Sequence, residues 1–262
     1  MKKLILSTLV ITITFILASC APQGQSNFKN GNKAIESFQK NIKDVDSHSI
    51  KSQNKTTIDF QDHKTTFNQT SHGRSNHHDK LAFNIEQKSS NKRFNTQNKS
   101  IFIQANELKS SPRVHYLNYE AQNAEIDHYQ KIGQDWFDLT TFNQSMLKPI
   151  ENDVTIDGRT LTYDGTNKDV LKYLYQLGYS QSPLVDQQSL SQIDNLNVKS
   201  GKFKLTFKDN KTLPEKLTFS IKATGYIKNE KIKINMNQTT DFYNFNKTKV
   251  KPYDNLTKNK YK

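Results

Sequence analysis

Three histidines and an aspartate form the densest group of potential metal ligands in the sequence. They lie within the segment QTSHGRSNHHDK and are His72, His77, His78 and Asp79. Imidazoles combined with a carboxylate are common ligands of zinc and copper. However, Arg74 and Lys80 stand in the same segment and would repel a cation, and its polar composition is typical of a hairpin loop. We therefore interpret the segment as a polar loop and expect no metal site.

Catalytic signatures are missing from the sequence. It contains no G-x-S-x-G, H-E-x-x-H or C-x-x-C motif and no glycine-rich phosphate loop. With only 9 glycines in 262 residues, a phosphate-binding loop is not expected in any case. We expect a protein without catalytic residues and without a cofactor. A hydrolase that assembles Ser, His and Asp from separate segments is a minor alternative.

Cys20 is the only cysteine of the chain, so it has no partner for a disulfide within the chain. It follows two lysines, Lys2 and Lys3, and a mostly apolar segment, residues 4–17. This layout is typical of a secretory signal peptide, and the segment is shorter than the roughly 20 apolar residues of a membrane helix.

The sequence Leu17-Ala18-Ser19-Cys20 resembles the lipobox of bacterial lipoproteins, in which an aliphatic residue and two small residues precede the cysteine. In that family the thiol receives a diacylglyceryl group, and a peptidase cleaves before the cysteine. The resemblance implies a signal peptide at residues 1–19 and lipidation at Cys20. It also implies an anchor on the extracytoplasmic face of the cell membrane, where each buried methylene contributes about 0.8 kcal/mol. An ordinary signal peptide that ends at a chance cysteine is the alternative.

The composition indicates one domain with a thin core and a basic surface. Hydrophobic residues make up 33% of the chain, which is below the globular norm of about 45–50%. The net charge is +13, carried by lysines along the whole length. An AT-rich genome accounts for most of this bias, and attraction to anionic headgroups or wall polymers is the functional alternative. Nucleic-acid binding is not expected, because there is an export signal and no recognised binding motif.

Apolar residues at three- and four-residue steps predict three helices. The first covers residues 32–45, and the second covers 167–177 with Gly178 as its stop signal. The third begins at Ser182-Pro183 and continues to Leu196.

Alternation of apolar and polar residues predicts a chain dominated by β-strands. A type I′ hairpin is predicted at Asp157-Gly158. A further hairpin is predicted at residues 125–142, and an edge strand begins at Asp241. The other predicted strands lie at residues 50–60, 81–85, 100–105, 113–119, 203–207, 217–221 and 232–236.

From about Ala34 to Pro252 the chain resembles the LolA/LppX-like lipoprotein superfamily, and specifically the small Gram-positive lipoproteins related to it. The motifs that carry the resemblance are residues 47–49 (SHS), 111–115 (SPRVH), 129–136 (YQKIGQDW), 212–216 (TLPEK) and the run from Asp241 to Asn246. The resemblance implies an α+β fold, in which a curved antiparallel β-sheet forms a half-barrel with helices packed in its concave face. Relatives use the enclosed cavity to hold acyl chains, so no catalytic residues are implied.

The predicted organisation after the signal peptide is a lipidated cysteine with a flexible tether at 20–32, a single domain at 33–252 and a basic tail at 253–262. We expect a monomer that is attached to the cell membrane through Cys20 and binds a lipid or another amphiphile in an apolar cavity. The candidate cavity residues are Tyr129, Trp136, Phe203, Leu205, Phe207, Leu217, Phe219, Ile221, Ile232, Ile234 and Met236.

Two alternatives to an open cavity follow from the same residues. The helices could fill the space completely, and Trp136 could be a core aromatic that fixes its hairpin, since large aromatics dominate core burial. The protein would then be a surface interaction or structural module that contacts wall polymers or an envelope protein.

Overall fold

The computed structural model describes residues 30–76, 80–89, 99–104, 113–117, 138–179, 193–208 and 212–250, and ten strands in these ranges form one antiparallel sheet. The first five strands are β1 (Ser47–Phe60), β2 (His63–Asn76), β3 (Lys80–Ser89), β4 (Lys99–Gln104) and β5 (Arg113–Leu117). The others are β6 (Thr155–Asp157), β7 (Thr160–Gly165), β8 (Asp194–Lys208), β9 (Leu213–Ile227) and β10 (Glu230–Tyr243). Their order is β5-β4-β3-β2-β1-β10-β9-β8-β7-β6, so the first and last described strands, β1 and β10, pair in the middle of the sheet.

Helices accompany the sheet, and each begins at a side chain that caps it. Helix α1 is Gly31–Asn41, and Asn30 Oδ1 accepts a hydrogen bond from the Lys33 backbone N–H at 3.1 Å. Helix α2 is Leu139–Phe142, and Asp138 caps it through the N–H of Thr140 at 2.9 Å. It continues as a π-helical turn, Asn143–Leu147, and a 3₁₀ turn, Lys148–Ile150. Helix α3 is Lys168–Tyr179. Such caps satisfy backbone donors that have no partner inside the helix.

The core lies between the helices and one side of the sheet. Phe38 of α1 meets Phe142 of α2 and Phe207 of β8, with ring centroids 6.1 and 6.0 Å apart. On β7 and β8, Tyr163 stacks on Phe203 at 5.5 Å. Aromatic rings carry much of the burial, which compensates for the low apolar content of the chain.

The predicted fold class is confirmed at the level of an α+β protein with an open antiparallel sheet. Helices α1 and α3 and the three apolar C-terminal strands lie where the sequence predicts them. The curvature of a half-barrel and the packing of the helices in a concave face stay predictions.

Several local predictions are wrong for physical reasons. Residues 69–76, interpreted as loop, belong to β2, because Gln61 and Asp62 adopt positive φ and make a tight β1–β2 turn. Residues 139–142 are helical because Asp138 caps them. Leu196, assigned to a helix, lies in β8.

Three further assignments change, at an edge, at a turn and at a helix end. The run from Asp241 is the end of β10, a central strand paired on both sides. The β6–β7 turn has positive φ at Gly158 and not at Asp157, so it is not the predicted type I′ turn. Gly178 lies inside α3, where an added Cβ would collide with Met236 and crowd Phe219. This glycine therefore permits close packing of helix and sheet and is not the helix stop.

Candidate functional site: a polar groove across the sheet

Alternation along the central strands divides their side chains between two faces. One face packs against the helices; it carries residues such as Phe203, Phe219 and Met236 and is called the helix face here. The opposite side, called the open face, carries their sequence neighbours, such as Lys202 and Asn237, which are exposed. The open face is the surface that the described helices leave uncovered.

A groove with a volume of about 690 Å³ runs across the open face. It crosses β2, β1, β10, β9 and β8. Its floor is the backbone of one row of paired residues whose own side chains point to the helix face, namely Gln69, Asn54, Gln238, Phe219 and Phe203.

Each wall of the groove is a row of side chains paired across the strands. The first wall, called the hydroxyl row, consists of Thr70, Gln53, Thr239, Thr218 and Lys204. The second wall, called the amide row, consists of Asn68, Lys55, Asn237, Ser220 and Lys202. The register therefore fixes both the direction of the groove and the chemistry of each wall.

Strand geometry gives the size of the groove. Five strands that lie about 4.8 Å apart make it roughly 19 Å long. The two walls are separated by two residues along each strand, which is about 7 Å. The groove therefore fits an extended chain one or two atoms thick better than a compact molecule.

The charge of the groove is positive. Among the described residues, three lysines line it, Lys55, Lys202 and Lys204, and no acidic residue does. Lys202 forms an ion pair with Asp164 of β7, in which the side chains are 69% and 58% exposed. Exposed pairs contribute only about 0–1 kcal/mol, so this pair weakens Lys202 as a ligand contact without abolishing it. Within the described residues, neither Lys55 nor Lys204 forms an ion pair.

The rows of the open face beside the groove add to the positive potential. On the described strands β2, β1, β10, β9 and β8, the two walls and the rows next to them, taken with Asp164 of β7, hold six lysines and two aspartates. The added lysines are Lys51, Lys216 and Lys222, and Lys216 pairs with Asp241 at 3.5 Å. An excess of one charge sign over a concave surface raises the local concentration of oppositely charged ligands.

The arrangement offers binding chemistry. In the part of the chain that the structure describes, the lining contains no His, Asp, Glu or Cys that could act as a general acid, base or metal ligand. It presents ammonium groups, primary amides and hydroxyls, which donate hydrogen bonds to oxyanions and exchange them with hydroxyl groups. The absence of catalysis in the protein as a whole stays a prediction.

The helix face contains a buried polar cluster on β1 and β10. Asn54 Nδ2 donates to Gln238 Oε1 at 2.9 Å and to the Gly178 carbonyl oxygen at 3.3 Å. Thr56 donates to Asn54 Oδ1 at 2.7 Å. Gln69 on β2 is 5% exposed, and its Nε2 has no hydrogen-bond partner. The helix face is thus polar toward β2 and apolar toward β8.

The nine candidate cavity residues from the C-terminal strands lie in this core. They are at most 4% exposed and pack with the helices: Phe203, Leu205, Phe207, Leu217, Phe219, Ile221, Ile232, Ile234 and Met236. Only Phe203 and Phe219 also border the groove, through their backbone. Their role as ligand-binding residues stays a prediction. Cys20, Tyr129 and Trp136 lie outside the described residues.

The histidine group is divided by the structure. His72 is exposed on the open face of β2, whereas His77, His78 and Asp79 lie outside the described residues. Among the residues described, no set of three His, Cys, Asp or Glu side chains is placed to hold a metal ion. In the same residues, no helix has the length and apolarity needed to cross a membrane.

Sequence reasoning missed the groove because it treated the polar positions of each strand only as the solvent side. The signal was the recurrence of Lys, Asn and Thr at those positions. Which of them stand in one row depends on the register, and the β1–β10 pairing joins residues almost 200 positions apart, such as Ile50 and Phe242.

Comparisons with known proteins leave the family of the chain open. No protein-family model and no curated protein matches it. Solved structures do match, at low similarity. A DUF1329 family protein from Desulfovibrio piger is 9% identical, with 86% of this chain and 94% of that chain covered and a TM-score of 0.25.

Two other structures show the range of these matches. A domain described as an outer membrane lipoprotein-sorting protein, from Vibrio parahaemolyticus, is 9% identical, with 88% of this chain and 98% of that chain covered and a TM-score of 0.25. A structure described as a thioesterase II, from Thermobifida fusca, is 9% identical over 84% of this chain and 88% of that chain, with a TM-score of 0.13. TM-scores of this size do not show a shared fold, so the LolA/LppX-like resemblance stays a prediction.

Proposed function

We propose that the protein is a non-catalytic, extracytoplasmic binding protein, anchored to the membrane through Cys20, whose ligand lies in the groove of the open face. The ligand is anionic and rich in hydrogen-bonding groups. The observation that carries this proposal is the lining of the groove, which over the described residues combines three lysines with amides and hydroxyls and includes no acidic residue.

The proposal follows from what an occupant of the groove would contact. An acyl chain would cover polar side chains and remove them from water without replacing their hydrogen bonds, which is unfavourable. An anionic ligand gains ion pairs with exposed lysines and keeps its hydrogen bonds. Each exposed pair contributes about 0.2–1 kcal/mol and is screened by salt, so several must act together.

Charge-neutralising variants test the proposal. Dextran sulfate and uncharged dextran of equal length are titrated into the full chain, and heat is measured by calorimetry. We expect binding of dextran sulfate only, weakened at high salt and reduced about tenfold or more in the triple variant Lys55→Gln/Lys202→Gln/Lys204→Gln. A matched control is the triple variant Lys40→Gln/Lys43→Gln/Lys172→Gln, whose exposed lysines lie on the helices and the 3₁₀ turn that follows α1. Equal losses in the two variants would reject the groove as the site.

A second candidate is the binding of an amphiphile at the helix face, as predicted from the sequence. The observation that favours it is the row whose side chains change from Gln69, Asn54 and Gln238 to Phe219 and Phe203. Such a row could take the polar group of an amphiphile at one end and its chain at the other. Because the apolar end is closed by helices, this function requires the helix layer to move.

Lipid analysis separates the two candidates. Mass spectrometry of lipids that copurify with the full chain, and titration with a fluorescent fatty acid, are expected to show no stoichiometric ligand if the groove is the site. A bound lipid that is lost in Asn54→Leu but kept in the groove triple variant would favour the amphiphile function instead.

A further inference from the structure

We infer that the ligand is a linear polymer that lies across the strands and carries anionic groups separated by uncharged, hydroxyl-bearing units. This inference rests on the proposed function and specifies its ligand. It is drawn from the order of charged and neutral side chains along the groove.

The charges are concentrated on two of the five strands. Lys55 stands on β1, and Lys202 and Lys204 stand on β8. Three strand spacings, or about 14 Å, separate these positions. A single small anion can therefore contact one group of lysines at a time, and a ligand that uses both must carry at least two anionic groups.

The strands between the charges offer neutral groups. On β10 these are Asn237 and Thr239, and on β9 they are Ser220 and Thr218. Amides and hydroxyls both donate and accept hydrogen bonds, which matches hydroxyl groups or glycosidic oxygens of a polymer. The part of the ligand over β10 and β9 is therefore polar and uncharged, whereas the parts over β1 and β8 are anionic.

Lys202 and Lys204 flank the groove from opposite walls. They are two residues apart on β8, so both side chains point to the open face, one in the amide row and one in the hydroxyl row. An anionic group between them would contact two ammonium groups. The β8 end is thus the stronger charge site and the β1 end the weaker, which gives the bound chain a preferred anchoring point.

The same lining argues against two other linear ligands. Single-stranded nucleic acids are usually held by stacking of bases on aromatic side chains, at about 1–3 kcal/mol per base. Phe203 and Phe219, the only aromatic residues among those described at the groove, are buried in the core. An acyl chain lacks the charges altogether. A polyol joined by phosphodiesters and a carboxylated glycan both fit the inferred chemistry.

A length series tests the inference with the full chain. Oligomers of glycerol phosphate and of alternating glucuronic acid and N-acetylglucosamine, each with one to eight repeats, are titrated by calorimetry. Linking two contacts makes the second intramolecular, so affinity is expected to rise at least tenfold once an oligomer spans the roughly 14 Å from β8 to β1, and then to level off. The series that binds more tightly identifies the source of the anionic group, and either result supports the inference.

A single variant removes the weaker end of the site. In Lys55→Gln the rise with length should disappear, so that long oligomers bind as weakly as those that reach only β8. In the control Lys172→Gln, on the helix side, it should remain. Asn237→Asp, which places a negative charge in the middle, should weaken long oligomers more than short ones.

The outcomes distinguish the inference from the function on which it rests. If dextran sulfate binds the groove but affinity does not depend on oligomer length, the polymer inference is wrong and the proposed function stands. The inference is equally overturned if inorganic phosphate binds as tightly as the longest oligomer, or if a DNA oligonucleotide of equal charge binds more tightly. If no anionic probe binds, both are wrong.

Discussion

Removing one negative charge beside the groove should strengthen ligand binding. Asp164 on β7 pairs with Lys202 at the β8 end of the amide row. In Asp164→Asn the backbone and side-chain shape are retained, but Lys202 no longer has a competing carboxylate. The variant is informative because a gain of affinity cannot result from damage to the fold.

The size of the effect follows from the exposure of the pair. Both side chains are more than half exposed, at 69% and 58%, so their attraction is largely screened by water. Exposed pairs of this kind contribute about 0.2–1 kcal/mol. Releasing about 0.4–1 kcal/mol to the ligand corresponds to a two- to fivefold gain in affinity.

Calorimetric titration with dextran sulfate measures this gain. At low salt we expect the two- to fivefold decrease in Kd, and at high ionic strength the difference should shrink as screening shortens the range of the charges. Asp44→Asn, an exposed change of the same charge in the 3₁₀ turn after α1, serves as the control. Unchanged or weaker binding in Asp164→Asn, or an equal gain in Asp44→Asn, would refute the assignment of Lys202 to the site.

Four further variants test the packing behind the groove. Phe38→Ala should lower the free energy of unfolding by about 3–5 kcal/mol in urea titration, because it empties the aromatic contact between α1, α2 and β8; a loss below 1 kcal/mol would contradict this packing. Gln69→Leu removes an amide whose Nε2 lacks a hydrogen-bond partner, so the free energy of unfolding should stay the same or rise by about 1 kcal/mol. Asn54→Leu breaks three hydrogen bonds and should lower the free energy of unfolding by at least about 2 kcal/mol. A larger loss in Gln69→Leu than in Asn54→Leu would contradict the hydrogen bonding of this cluster. Burial raises the pKa of the Tyr175 phenol, so above pH about 10 this phenol ionises in the unfolded chain before it ionises in the folded protein. The stability of the fold should therefore decrease as the pH rises above about 10. Alkaline denaturation should show a smaller decrease in Tyr175→Phe.

Periodicity predicted the apolar half of the sheet well and the polar half poorly. Every second residue is apolar over residues 203–207 of β8, 217–223 of β9 and 232–236 of β10, so strand and buried face follow directly from the sequence there. In β2 the buried positions are Gln69, Ser71, Gly73 and Ser75, which do not differ in polarity from their exposed neighbours. A polar strand inside a sheet gives no hydrophobic signal, so its turn at Gln61-Asp62 was the feature to recognise.

Sequence periodicity could not predict the candidate site, for a different reason. The pattern separates exposed from buried side chains, but it does not say which exposed residues of five strands stand in the same row. That information is in the register, and a shift by one residue would exchange the wall residues for the floor row. Lys55 and Lys202 are 147 positions apart in the sequence, so only the β1–β10 pairing brings them to one groove.

The meeting of β1 and β10 also decides when the protein can begin to bind. One part of each wall comes from residues 53–70 and the rest from residues 202–239. A chain still in synthesis, which lacks the last strands, has two unjoined fragments of wall and no continuous groove. Contacts between residues so far apart in sequence form late in folding, because closing the long segment of chain between them costs entropy. The ligand proposed for the groove can therefore bind only after β10 has paired with β1, which separates biosynthesis from binding.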